Sequence, residues 1–187
     1  MATIYHTAAS LDGFIADQDN RLDWLLQFSD EPMGDFAGFL AEVGAIAMGS
    51  TTYEWVLANH VRAPSGPNPW PYSQPAWVFS TRTLPGIEGA AIRFVRGDVR
   101  PVHAEMSRVA AGRNVWIVGG GELAGQFHDA GLLDEVVVTV ASVTLGAGAP
   151  LLPRRIATPP LRLRSARALG RDFAELVYEV PRGEGTA

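Results

Sequence analysis

Val115-Trp116-Ile117-Val118-Gly119-Gly120-Gly121-Glu122-Leu123 is an apolar run that ends in three glycines and passes at once into a helical stripe of Leu123, Phe127 and Ala130. A strand that is apolar on both faces belongs in the middle of a sheet covered on both sides. Glycines let a backbone approach a ligand closely, and the helix that follows offers free N–H groups and the positive end of its dipole. A pyrophosphate suits such a site; a tight strand-to-helix turn without a ligand suits the same residues equally. The segment is not the G-x-G-x-x-G fingerprint, and it lies late in the chain rather than after a first strand.

Outward from this segment, strand and helix patterns alternate. Thr3–Ala9 reads as a strand closed by the turn Ser10-Leu11-Asp12-Gly13. Phe36, Phe39, Leu40 and Val43 follow helical spacing, with Asp35 near the helix start. Ala45–Met48 is a short strand, Thr51–Leu57 a helix, and Ala76–Ser80 and Ile92–Val95 are strands. Asp98 caps a helix from Val99 to Ala111 that stops at Gly112, and Gly131 closes the helix after the glycines. Glu135–Val140 is a strand, and Leu161–Ala168 and Phe173–Val180 form a terminal antiparallel pair through Gly170. The alternation predicts an α/β fold with much parallel pairing, and 187 residues suit a single domain. Val61–Tyr72, rich in Pro, Gly and Trp, is too long for a simple connection and reads as a lid or a dimer contact. Residues 182–187 are expected to fray.

Two more strand ends share the glycine segment's chemistry. In Ala45-Ile-Ala-Met-Gly-Ser-Thr-Thr-Tyr53, a strand reaches Gly49 and then Ser50, Thr51 and Thr52, hydroxyls suited to helix capping and to phosphate oxygens. In Ser80-Thr81-Arg82, the guanidinium is a plausible bidentate clamp for a phosphate monoester, or simply a solvated surface Arg. Three such strand ends together favour a dinucleotide site.

Composition removes other chemistries. With no Cys there is no disulfide, thiolate metal site or Cys nucleophile. All 15 cationic residues are Arg, so Schiff-base and P-loop lysine chemistry are absent. A net charge of −5 argues against a nucleic-acid surface. No apolar run reaches the roughly 20 residues that span a bilayer. Met1–Ala9 lacks the basic start of a signal peptide, so no membrane association and a cytoplasmic location are expected. Asp17, Asp19, Arg21 and Asp23 fail as a calcium loop because Arg21 stands at a ligand position and Leu22 replaces the required Gly. His60, His103 and His128 do not cluster, and no metal site is expected.

The segments, in this order, resemble the dihydrofolate-reductase-like fold, and more closely the reductase family named for the C-terminal domain of the bifunctional riboflavin-biosynthesis deaminase/reductase. Thr7–Asp17 is similar to that family's opening SLDG-x-IA motif, followed by Leu22-Asp23-Trp24. Met48–Glu54 is similar to MGRxTYE and Gly119–Leu123 to GGGxL. Ala130–Glu135 and Leu145–Leu152 resemble the two later motifs, aGLvDEl and LGxGxxLF. The resemblance implies a three-layer fold with a mixed, mostly parallel sheet flanked by helices. It implies NADP(H) across the C-terminal strand ends, a small-molecule substrate and a homodimer. By position, Gly49, Ser50, Thr51 and Thr52, with Gly119, Gly120, Gly121, Glu122 and Leu123, would hold the phosphates. Ser80, Thr81 and Arg82 would surround the adenosine ribose and its 2′-phosphate, and Ala8 and Ile15 would border the nicotinamide. Two positions depart from the pattern. Ser50 replaces the usual Arg, which leaves 2′-phosphate recognition largely to Arg82. Val118 stands where riboflavin-pathway reductases carry an acid, and without Cys there is no zinc deaminase half.

Hydride delivery to a C=N or C=O bond needs a proton for the other atom. Asp35 lies in the helix where dihydrofolate reductases keep their acid, and it also reads as a plain helix N-terminal Asp. His6 shares a strand face with Ile4 and Ala8, the side toward the nicotinamide, and also reads as an ordinary core or rim histidine. Asp12 reads as a turn residue fixing the loop. Trp55, Trp70, Tyr72 and Trp77 gather around the long loop, either to stack on a flat substrate or to pack an interface. The expected function is an NADP(H)-dependent reductase of a small heterocyclic, pteridine- or pyrimidine-like substrate. The alternatives are a true dihydrofolate or riboflavin-pathway reductase, and a nucleotide-binding protein without turnover.

Overall fold

Strands β1 (Thr3–Ser10), β3 (Val43–Gly49), β4 (Ala76–Phe79), β5 (Ile92–Val95), β6 (Asn114–Gly119), β7 (Glu135–Ala141), β9 (Arg162–Leu169) and β10 (Phe173–Glu179) form one sheet in the computed structural model. The structure describes residues 1–28, 34–63 and 66–182. The strand order is β5-β4-β3-β6-β1-β7-β10-β9. The first six strands in that order run parallel, and β10 pairs antiparallel with both β7 and β9, so the sheet is mixed and mostly parallel. A small second ladder joins β2 (Phe14–Ala16) to β8 (Ala149–Pro150). The first turn and the loop after β7 meet there, a pairing with no local sequence signal.

Alternation along the central strands divides the core in two. Tyr5, Ala45, Ala47, Trp77, Val115 and Ile117 face helices α4 (Val99–Ala110) and α5 (Gly121–Asp129). Ile46, Met48, Val78 and Trp116 face α3 (Ser50–Val56) on the opposite side. The smaller α1 (Asp23–Leu26) and α2 (Phe36–Ala41) belong to that second side, which gives three layers. α4 sits so close to β3 that a Cβ on Gly44 would fall 2.6 Å from the Ala110 carbonyl oxygen. Met106 and Ala110 of that helix are fully buried; truncating Met106 to Ala is worth about 2–5 kcal/mol.

Most element boundaries match the sequence reading within a residue or two. Val43 does not extend α2: it begins β3 opposite Asn114, whose N–H donates to the Glu42 carbonyl, so sheet pairing overrides the helical spacing. α3 continues past Val56 as a π-helical turn, Leu57–Val61. The residues after Ala110 follow the expected stop, Ala111 and Gly112 both taking left-handed φ angles of 51° and 88°. Trp77 does not join the loop aromatics. It is fully buried on the other face, with Arg93 stacked 4.8 Å from its ring and Glu105 accepting from its Nε1.

Trp70 and Tyr72 of the long loop turn inward onto Tyr53 and Trp116. Of the terminal segment expected to fray, all but Arg182 lies outside the described residues. Among the described residues no helix is long and apolar enough to cross a membrane. None of their His, Asp and Glu side chains form a cluster placed to hold a metal ion.

Candidate active site

The C-terminal ends of β1, β3 and β6 open into a cleft of about 610 Å³. His6, Thr7 and Ala8 of β1, Trp116, Val118 and Gly119 of β6, and Thr139 of β7 supply its floor. Register explains the set: Ala8 lies beside Thr139, and Ile4 beside Trp116, so even-numbered residues of β1 and β6 share one face with odd-numbered residues of β7. Ile15, Ala16, Ala149 and Pro150 of the small ladder form one wall, and Thr51, Thr52, Trp55 and Val56 of α3 another.

At one end two helices start side by side. α3 begins after Gly49 and α5 after Gly120, and neither N-cap carries a side-chain hydrogen bond. The first N–H groups of a helix have no partner within it, so both sets remain available. A Cβ on Gly49 would lie only 3.8 Å from the Gly120 nitrogen. Ser50, Thr51 and Thr52 therefore do not cap α3, contrary to the sequence reading. Gly121 is packed so tightly that a Cβ would strike the Pro150 and Leu151 carbonyl oxygens, whereas a Cβ on Gly120 meets only Ile15 Cδ1 at 4.0 Å and points into open cleft. The Gly119–Gly120 peptide is cis.

At the other end the walls are aromatic. His6 lies edge-on to Phe39 at 4.4 Å and to Phe36 at 6.2 Å between centroids, and Trp116 contacts Phe36 at 5.4 Å and Tyr72 at 5.5 Å. His6 Nδ1 is buried without a hydrogen-bond partner. Burial lowers the His6 pKa from its ordinary value, and the Glu175 carboxylate opposes that shift. Glu175, buried on β10, is held by Arg167 at 2.7 Å. Burial pushes the Tyr72 phenol up to about 12, so it stays protonated.

The expected site residues divide. His6, Ala8, Ile15, Thr51, Thr52, Gly119, Gly120, Gly121 and Glu122 line the cleft. Gly49 and Ser50 stand behind it at the start of α3. Leu123 points its side chain into the core beside Phe127, leaving only its backbone N–H for a ligand. Asp35 is not brought to the cleft: it is exposed, and its Oδ1 caps α2 by accepting the Gly38 N–H at 2.8 Å. Ser80, Thr81 and Arg82 form a local turn in which Ser80 Oγ accepts the Arg82 N–H at 2.9 Å. Arg82 is already paired: Glu54 of α3 holds both guanidinium nitrogens at 2.9 and 2.6 Å. Glu122 is likewise tied to Arg154, which lowers its pKa.

Of the loop aromatics offered for stacking on a flat substrate, Trp55 and Tyr72 line the cleft, whereas Trp116, Phe36 and Thr139 were not read as cleft residues from the sequence. A strand buried on both faces shows no alternation, so Trp116 gave no signal. Thr139, the polar residue among four valines of β7, was the one readable hint.

A scan against family models matches residues 2–174 to the RibD C-terminal domain. The chain belongs to that family. The uncharacterized YwjB protein of Bacillus subtilis (strain 168) is 31% identical over 168 residues, covering 90% of this chain and 92% of that protein. A crystal structure from Shewanella sp. PV-4, provisionally assigned to riboflavin biosynthesis, superposes with TM-score 0.76 at 27% identity. It covers 97% of this chain, and all of that chain is matched. Dihydrofolate reductase from Enterococcus faecalis, complexed with NADP(H) and RAB-propyl, gives TM-score 0.64 at 16% identity and 95% coverage of both chains. The RibD C-terminal domain chain thus has the dihydrofolate-reductase-like fold.

Proposed function

We propose that this RibD C-terminal domain protein is an NADP(H)-dependent reductase of a small, ring-shaped substrate. The observation that carries the reading is the pair of uncapped helix starts at Gly49 and Gly120, adjacent at one end of a cleft whose other end is aromatic. The free N–H groups of α5, with the Thr51 and Thr52 hydroxyls, suit a pyrophosphate. The nicotinamide, when bound, supplies hydride. Ala8 and Ile15 would border it, Ala8 leaving room by its small size and Ile15 excluding water. The cognate fold of dihydrofolate reductase complexed with NADP(H) supports the same placement. Among the described residues, Glu122 is the one carboxylate in the cleft lining, and Arg154 holds it, so His6 is the better-placed ionisable group near the substrate end. We further propose a homodimer, on the family likeness.

Titration with NADPH and NADH, followed by oxidation of NADPH over pteridine, pyrimidine and quinone panels, tests this reading. Ligand at one hundred times Kd adds about 2.7 kcal/mol, or roughly 5–11 °C in Tm for a domain of this size. Absence of any thermal shift with either nucleotide defeats it. Binding without turnover on every panel compound would leave a nucleotide-binding protein.

A further inference from the structure

We propose that Arg154 keeps the start of α5 open to an anion by neutralising the Glu122 carboxylate and drawing it back along the helix, which makes Arg154 a positioning residue for the nucleotide. The proposal rests on the nucleotide-binding part of the reductase reading and names what the glycine end of the cleft requires.

Charge carries the first part. Glu122 is the second residue of α5 and lines the cleft. A helical side chain leans toward the helix N-terminus, and the dipole favours a carboxylate in the first turn. Left free, Glu122 would bring a negative charge to the N–H groups that a phosphate needs and would compete for them. Arg154 holds it elsewhere: Nη1 and Nη2 each donate to one Glu122 oxygen at 2.8 Å.

Shape carries the second part. Arg154 Nε donates to Asp129 at 2.7 Å, about two turns further along α5, and Nη1 also donates to the Pro153 carbonyl at 2.9 Å. Between the two carboxylates stands Gly125, where a Cβ would lie 2.6 Å from Arg154 Cζ. The guanidinium therefore rests against the helix backbone in a space that only a glycine leaves. Glu122, Gly125 and Asp129 form one row on the helix surface, and a single arginine fills it. Asp129 lies roughly 10 Å along the axis from Glu122, more than the screening length of about 8 Å at physiological salt. Glu122 is thus the member of the row whose charge an anion at the helix start would meet.

Isothermal titration with NADPH and NADH, at low ionic strength and again in concentrated salt, tests the role. Arg154→Gln is expected to weaken both nucleotides alike, by about fivefold or more at low salt, because the pyrophosphate is common to both. The ratio to the parent should shrink to within about twofold at 1 M salt, where the screening length is about 3 Å. Glu122→Gln alone, which frees the Arg154 cation, should tighten both nucleotides by about twofold or more. Adding Glu122→Gln to Arg154→Gln should restore the lost affinity, although the ion pair is still missing. A double variant as weak as Arg154→Gln, or a loss that persists at high salt, reduces Arg154 to a structural brace and overturns the proposal. Unchanged or weaker binding by Glu122→Gln overturns it as well, and that variant decides if Arg154→Gln fails to fold by circular dichroism. Failure of the parent to bind either nucleotide defeats the reductase reading and this role together. A parent that binds, with Arg154→Gln unchanged, defeats this role alone.

Discussion

Gly120 and Gly121 are neighbours that answer differently to a side chain. A Cβ at Gly121 strikes backbone carbonyls of the β8 segment, whereas one at Gly120 enters the open cleft. Gly121→Ala is therefore expected to lower Tm, and Gly120→Val to stay folded while losing nucleotide affinity by more than tenfold. Normal NADPH affinity in folded Gly120→Val would reduce the glycines to a turn. Arg82 is a second discriminating position. Its pairing with Glu54 is half-exposed, so it adds at most about 1 kcal/mol to stability, and it competes with any phosphate. If Arg82 reads the 2′-phosphate, Glu54→Gln should raise the preference for NADPH over NADH. Arg82→Ala should lower it by less than the roughly 1.5 kcal/mol of an uncontested charged hydrogen bond. Matched changes for both nucleotides would remove Arg82 from that role. Asp35→Asn should leave turnover within about twofold, since Asn also caps helices well; a hundredfold loss would restore Asp35 as the acid.

The loop between β7 and β8 is an element held largely by one side chain. Asp12 accepts the Leu145 N–H at 3.0 Å, the Gly146 N–H at 2.7 Å and the Ser10 hydroxyl at 2.6 Å. These bonds, Ser10 first, lower its pKa below the ordinary 3.8. A depressed carboxylate pKa contributes stability that is present above the unfolded value and lost as pH falls through the folded one. Amide protection at Leu145 and Gly146 should accordingly hold at neutral pH and fall below about pH 3.8, with Asp12→Ala unprotected throughout. Protection that survives acid would detach the loop from Asp12. The sequence made Asp12 legible as a turn residue because Ser10–Gly13 is a local pattern. Its partners lie 133 and 134 positions away, which no local pattern can reveal. The same limit hid β2 and β8, whose pairing exists only once β1 and β7 are adjacent.

At the scale of the molecule, the parallel sheet and its phosphate-facing strand ends were readable because each depends on a short motif at a strand end. The aromatic end was readable only in part: His6 and Tyr72 stood out as candidates, but Trp116 and Phe36 did not, because the four come from separated segments and meet only in the fold. The same distinction bears on assembly. The sequence pointed to Val61–Tyr72 and Leu145–Leu152 as apolar surface for a partner. In the structure Trp70, Tyr72, Leu145, Leu151 and Leu152 all pack against core clusters, so those segments no longer supply the contact. Among the described residues the exposed large apolar side chains are instead Met1, Leu11, Leu26, Phe36, Phe94 and Leu163, and Leu163 lies on the edge strand β9. The proposed homodimer therefore makes a specific demand. Light scattering at micromolar concentration should give about twice the 20.1 kDa chain mass, and Leu163→Arg should reduce it if β9 is the interface. If the cleft is complete within one chain, dilution into monomer should leave NADPH affinity unchanged. A monomer at micromolar concentration defeats the dimer. A dimer whose nucleotide affinity falls on dilution would show that the partner completes the cleft.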